Sequence, residues 1–281
     1  MSQKIYSRRQ LMAKAPEEDW SKHYLTFKVL SEGTITFTAN NSTAAGKTIQ
    51  YSTNNGETWS SFTSTTEIQS LGNFIAGTKV LVKGNNSAYG SGNGDNYNYF
   101  GGTAKIALYG NIMSMINGDA YIGKTSLSQN AALSSMFINN ANLIDAKHLV
   151  LPATSITASF MYASMFQNCT ALKRAPKELP ARTAVSHMYN SMFRFCSSLV
   201  EAPVIQLRNL VNRTAWYMFQ NCSKLNYIKA MFTTEPNSTR LHSWVYDVAS
   251  SGTFVKNSAA TWNVTGVDGI PSGWTVQTAD E

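Results

Sequence analysis

Four copies of one short pattern run through the second half of the chain, and a repeat of this kind constrains the fold more than any local propensity does. Aligned on Met-Phe they read SMFINNANLIDA from Ser135, SMFQNCTALKRAP from Ser164, SMFRFCSSLVEAP from Ser191 and YMFQNCSKLNYIK from Tyr217. With Met136, Met165, Met192 and Met218 as markers, successive copies lie 26 to 29 residues apart, a period typical of solenoid repeats. Within a copy, Met-Phe is followed after two residues by Cys (Asn140 in the first copy) and after two more by Leu143, Leu172, Leu199 or Leu225. Each coil has a buried edge that it cannot hide alone, so neighbours must stack. The pattern predicts about four such coils. Met-Phe is expected at the end of a short helical turn with both side chains inward, and Cys and Leu are expected to enter the core near a strand.

The three cysteines, Cys169, Cys196 and Cys222, cannot form a closed set of disulfides. The repeat reads them as a ladder of small buried thiols. A zinc site would need ligands paired at close spacing, and no His follows a matching pattern, so no metal and no cofactor is expected. Pro176 and Pro203 follow Ala175 and Ala202 at one point of the repeat, with Leu151-Pro152 and Leu179-Pro180 as further punctuation, which suits a turn between strand and next segment.

Ahead of the repeats, Tyr24 to Asn111 reads as β-structure. TITFT from Thr34 and KVLVKG from Lys79 alternate apolar and polar residues between Gly- and Asn-rich turns, as in an antiparallel sandwich or small barrel. The stretch from Ser52 to Trp59 resembles the S-x-D-x-G-x-x-W turn called an Asp-box, with Asn54 in place of Asp, and is read as a hairpin brace. A content of 43% hydrophobic residues supplies a core, while only 14% charged residues, with much Asn, Ser, Thr and Gly, is the usage of β-rich and repeat proteins displayed outside cells.

The M-F-x-x-C-x-x-L-x-x-A-P copies resemble the BspA-like leucine-rich repeats of gut anaerobic bacteria and their phages. YSTNNGETW, VLVKGNNSAY and YGNIMSMINGD resemble the run-in of such proteins. Trp244, the segment from Gly252 to Lys256, Trp262 and the segment from Gly269 to Val276 resemble their closing cap. The resemblance spans Tyr24 to Val276. It implies a mixed, β-rich fold: 23–111 an all-β, sandwich-like domain, 112–235 a short leucine-rich-repeat solenoid, and 236–281 a C-terminal cap that buries Trp244, Trp262 and Trp274, while residues 1–22, polar, mixed in charge and outside the resemblance, are expected to be an anchoring arm.

It also implies display and binding without catalysis. Met1 to Trp20 carries basic residues but no apolar run of signal-peptide length, and no stretch of 18 apolar residues predicts a membrane span. An extracellular role is therefore expected to rest on release by lysis within a phage particle. The expected localisation is the virion surface, as a fibre or capsid decoration that attaches to host or mucosal glycans. The alternative is a bacterial cell-surface adhesin. The expected partners are a virion structural protein, gripped by Ile5, Tyr6, Arg8, Arg9, Leu11 and Trp20 of the arm, a glycan or host surface protein held by the repeats, and further copies of the chain in a homo-trimer.

Charge and aromatics supply the candidate binding surface. The net charge is +7, and Met161 to Arg240 alone holds ten basic residues against three acidic ones. That is either a solvated face or a surface for a polyanion. Lys173, Arg174, Arg194, Arg208 and Arg213 are taken as its candidates, with Tyr89, Tyr97 and Tyr99 beside the Gly90–Asp95 loop either stacking on sugars or packing on the sheet. His23, His148, His187 and His242 are scattered, and Glu57, Glu67, Asp95, Asp119 and Asp145 sit in no motif, so neither a triad nor a glycosidase pair is expected. The Gly90–Asp95 loop reads as a hairpin tip, with calcium at Asp95 a lesser alternative.

Overall fold

The structure, a computed structural model, describes residues 17–280. The chain is β-rich, 31% strand against 5% helix, with a stacked, β-solenoid-like arrangement of about six turns. Its first part contains β1 (Leu25–Val29), β2 (Gly33–Ala39), β3 (Thr48–Ser52), β4 (Ser60–Thr63), β5 (Ser70–Phe74), β6 (Lys79–Gly84), β7 (Gly90–Ser91), β8 (Asn96–Gly101) and β9 (Ile106–Asn111). The stacked part contributes β10 (Ser126–Leu127), β11 (Leu143–Val150), β12 (Ser155–Ile156), β13 (Glu178–Leu179), β14 (Val204–Ile205), β15 (Tyr227–Ala230), β16 (Thr253–Asn257) and β17 (Thr275–Ala279).

One sheet runs β11-β9-β1-β6-β3-β4 and another β5-β2-β8-β7. Successive strand side chains point to opposite faces, so Leu25, Phe27 and Val29 on β1, Ile35 and Phe37 on β2, and Val80 and Val82 on β6 form one buried set. Phe27 and Phe37 both meet Phe100 of β8, with ring centroids 4.8 and 4.7 Å apart. The turn from Ser52 closes as a brace. Ser52 Oγ accepts from Gly56 N at 2.9 Å, Asn54 Oδ1 accepts from Thr58 N at 3.1 Å, and Trp59 folds under the turn to donate its indole N–H to Gly56 O at 3.0 Å.

Pairing crosses the expected boundary between residues 111 and 112. β11 runs parallel to β9, Phe100 N donates to Met136 O at 2.8 Å, and Tyr89 N donates to Ala132 O at 2.9 Å. Gly90 lies so close to the Ala131 carbonyl and Ser134 that a Cβ there would collide, which is what this docking requires of the residue. The bridge between Asp145 and Arg174 carries the strand wall onward to the parallel sheet β13-β14-β15-β16-β17.

The segment around each Met-Phe is not the expected helical turn. It is a ribbon of successive turns in which every fourth residue is left-handed: Ala131, Ser135 and Asn139; Phe160, Ser164 and Asn168; His187, Ser191 and Phe195; Arg213, Tyr217 and Asn221. A helix would satisfy its amides within the coil. Here alternate amides point along the stack instead: Phe137 N reaches Met165 O at 2.9 Å, Phe166 N reaches Met192 O at 2.8 Å and Phe193 N reaches Met218 O at 2.9 Å. Stacking thus supplies backbone partners as well as apolar burial.

Met and Phe are fully buried in all four copies, so the inward orientation holds on a different backbone. The phenylalanines stack coil on coil. Phe137–Phe166, Phe166–Phe193 and Phe193–Phe219 have centroids 5.4, 5.2 and 5.7 Å apart and interplanar angles of 18, 8 and 12°. Each cysteine thiol donates to the phenylalanine carbonyl of the preceding coil, Cys169 to Phe137 at 3.0 Å, Cys196 to Phe166 at 3.1 Å and Cys222 to Phe193 at 3.0 Å.

A fifth ribbon follows that the Met-Phe alignment does not register. Ser243 and Asp247 are its left-handed residues, and Phe219 N donates to Trp244 O at 2.8 Å, so Trp244 stands where the earlier coils have Met. Trp244, Trp262 and Trp274 are buried, and their indole N–H groups donate to Gly269 O, Phe232 O and Ala249 O. The last strand, β17, is exposed at four of its five positions, so the tryptophans rather than this strand close the core.

Candidate functional site

Two walls enclose the core of the stack, the ribbon and the sheet. Two of the ribbon's left-handed columns mostly repeat one residue type, and their departures from it lie side by side. The residue just before the cysteine position is Asn139, Asn168, Phe195, Asn221 and Asp247 in successive coils, all with φ between 56 and 63°. Asn and Asp tolerate this conformation, and their side chains pair along the stack, Asn168 to Asn139 and Asn221 to Asp247, both at 3.1 Å. Phe195 breaks the column with an exposed ring. In the column Ser135, Ser164, Ser191, Tyr217 and Ser243, the break is Tyr217.

The two departures share a cation. The Arg194 guanidinium lies 4.8 Å from the Phe195 centroid and 5.1 Å from that of Tyr217, and among the described residues its Nε is buried without a hydrogen-bond partner. Tyr217 continues into His242 at 5.2 Å and Trp216 at 6.2 Å, and Arg213 sits 4.6 Å over Trp216. Arg213, Trp216, Tyr217, Thr239 and His242 line a shallow cavity of ≈ 530 Å³. Further along, Phe160 and His187 stack at 4.2 Å and 16°. Burial, and then the charge of Arg213, hold the His187 imidazole below its usual range, so it tends to stay neutral beside the arginine.

Of the expected binding residues, Arg194 and Arg213 belong to this cluster. Lys173 and Arg174 stand on the sheet wall instead, where Arg174 pairs with Asp145, and Arg208 is half-buried and donates to Met231 O at 3.4 Å. The basic residues therefore do not form one face, because the strand and ribbon portions of each coil look outward on different walls. Tyr89 is corrected outright. It is fully buried, with its hydroxyl donating to Met115 O at 2.7 Å, because the segment leading into β7 docks against the first coil. Tyr97 and Tyr99 are half-buried and 6.0 Å apart, near the hairpin tip where Gly94 lies against Phe160.

Of the expected anchor residues, Ile5, Tyr6, Arg8, Arg9 and Leu11 lie outside the described residues. Trp20 packs against its own chain, 4.9 Å from Tyr109 and 4.8 Å from His148, and is partly exposed. Glu17 contacts Lys177, and Tyr121 Oη donates to Lys22 O at 2.6 Å, which places residues 17–22 on the sheet wall.

Phe160, His187, Phe195, Trp216, Tyr217 and His242 were not expected at a site. The signal for two of them is in the aligned copies, where Tyr217 replaces Ser and Phe195 replaces Asn. A departure from a repeat is more informative about binding than the repeat itself, since the repeat serves the core.

Chemically, the cluster offers flat aromatic faces next to rigid planar donors. That combination suits a ligand with C–H faces flanked by hydroxyl or carboxylate acceptors. Among the described residues, no group of three or more His, Cys, Asp or Glu could hold a metal ion, and no helix is long and apolar enough to cross a membrane. Comparison of the chain with protein families, characterised proteins and solved structures finds no match.

Proposed function

We propose that the chain is a non-enzymatic display and recognition protein whose ribbon wall binds glycan. The observation that carries this reading is Phe195. An exposed aromatic ring is held on left-handed backbone where neighbouring coils place Asn or Asp, and it lies against Arg194 in a continuous aromatic and guanidinium cluster. The left-handed backbone is common to the ribbon, but a phenylalanine bears a steric cost there that asparagine largely avoids, which motivates a role for the ring.

In this reading the first part is a small β-sandwich-like domain, the coils are leucine-rich repeats of the BspA-like type, and the Trp244–Trp262–Trp274 region is their cap. The protein is a phage fibre or capsid decoration. Residues 1–22 attach it to the particle, and the repeats meet host-surface or mucosal glycans.

Two measurements test this. A glycan array probed with the wild-type chain, Tyr217→Ala and Phe195→Asn is expected to show retention that both substitutions reduce. Unchanged binding in both variants would remove the cluster from the reading. Immunogold labelling of the source culture is expected to place the protein on phage particles. Gold on cell envelopes, with particles bare, would make it a bacterial adhesin.

A further inference from the structure

The sheet wall carries a second, chemically different pocket, which the display reading neither needs nor predicts. Lys28 of β1 and Lys79 of β6 are direct cross-strand partners, both exposed on the same face. Like charges so placed destabilise a sheet unless an anion lies between or above them. Among the described residues, neither lysine has a carboxylate within ion-pair distance. Of the acids of the same cavity, Asp145 pairs with Arg174, and Glu18 lies 3.2 Å from His23, an ion pair only when the imidazole is protonated.

The cavity has a volume of ≈ 590 Å³, within the roughly 300–1,000 Å³ of small-molecule sites. Ala107, opposite Lys28 in register, lines the cavity with a short side chain. Trp20 and Tyr109 form an aromatic wall at 63° to each other, and exposed Leu30 adds an apolar rim. His148, on the same wall, has a buried Nδ1 with no hydrogen-bond partner among the described residues.

From this we infer a binding site for an acidic sugar residue, one bearing a sulfate or carboxylate. The anion would sit on the paired ammonium groups of Lys28 and Lys79, and an apolar ring face would lie on Trp20 and Tyr109. Rings inclined at 63° offer no parallel pair to sandwich a nucleobase, whereas a sugar stacks on a single aromatic face.

The test is titration of the full chain with sulfated N-acetylglucosamine, N-acetylglucosamine and inorganic sulfate. It is followed by calorimetry and by the fluorescence difference between wild type and Trp20→Phe. The sulfated sugar is expected to bind more tightly than either component alone. The exposed double variant Lys28→Gln/Lys79→Gln is expected to weaken it by about tenfold or more while melting no lower than wild type. Tyr217→Ala, on the ribbon, is expected to leave this binding intact, which separates failure of this site from failure of the ribbon reading. Equal affinity for inorganic sulfate, undiminished binding in the double variant, or loss on Tyr217→Ala would each overturn the assignment.

Discussion

The side-chain amide of Asn140 donates to the backbone carbonyl of Phe100 at 3.3 Å, in the position where each of the next three coils sends a cysteine thiol to the phenylalanine carbonyl of the coil before it. Phe100 belongs to β8, and its ring stacks on Phe137 at 6.1 Å and 25°. The first coil therefore treats the β-sheet part as a preceding coil. Asn fits there because an amide reaches further than a thiol and also accepts, taking Asn142 N at 3.1 Å on its Oδ1. Asn140→Ala removes both bonds at a buried position and is expected to destabilise by about 1–3 kcal/mol. Asn140→Cys is expected to lose less than Asn140→Ala, and urea denaturation of the two variants checks the order.

The phenylalanine stack predicts where the chain is most sensitive. Phe166 is fully buried between Phe137 and Phe193, and its neighbours are held by backbone bonds on both sides, so the stack cannot collapse into a vacancy. Phe166→Ala is expected to cost about 3–5 kcal/mol, measured as the fall in the urea midpoint.

Trp274 makes the corresponding prediction at the closing end. It is 7% exposed and donates to Ala249 O at 2.7 Å. Trp274→Ala is expected to destabilise by roughly 3 kcal/mol or more. An unchanged melting temperature would show that this tryptophan does not help to close the core.

The cysteine ladder links stability to alkaline pH. Burial pushes the Cys169 thiol up to about 12 from an ordinary 9.0, and burial also holds Cys196 and Cys222 above that ordinary value. Between these limits the unfolded chain has released protons that the folded chain retains, so stability is complete below about pH 9 and falls as pH rises towards the folded value. Each thiol contributes up to about 1.4 kcal/mol of loss per pH unit in that window. The urea midpoint should therefore drop from about pH 8 to about pH 10, and a Cys169→Ala/Cys196→Ala/Cys222→Ala variant should drop less. The buried hydroxyls of Tyr162 and Tyr189 are raised as well and keep the steeper fall at higher pH in both chains.

What could be read in the sequence was what the core demands. Met, Phe, Cys and Leu recur because stacked coils must fill the same slots, and that periodicity gave the copies, the buried thiols and the inward phenylalanines. The backbone that carries them was not legible. A residue such as Ser191 gives no local sign of left-handed φ, since its backbone N–H is held by the Trp216 carbonyl in the next coil. The fifth ribbon was missed for a related reason, because Trp244 fills the Met slot with a residue that breaks the motif. Candidate binding residues chosen by charge scattered over both walls, and Tyr89 was lost to the core, because composition does not say which wall a side chain faces.

Phe195 sets stability against binding in a single residue. Its φ of 63° is the conformation its column shares with Asn139, Asn168 and Asn221, but a phenylalanine there meets the steric penalty that asparagine largely avoids, and it interrupts the side-chain pairing seen elsewhere in the column. Phe195→Asn is therefore expected to raise stability by about 1 kcal/mol. The same change removes the ring that Arg194 covers and is expected to weaken retention on glycan. Denaturation and glycan binding measured on this one variant should move in opposite directions. A variant that is no more stable would show that the stack already accommodates the ring without strain. A more stable variant that binds as well as wild type would leave the strained phenylalanine without a role in recognition.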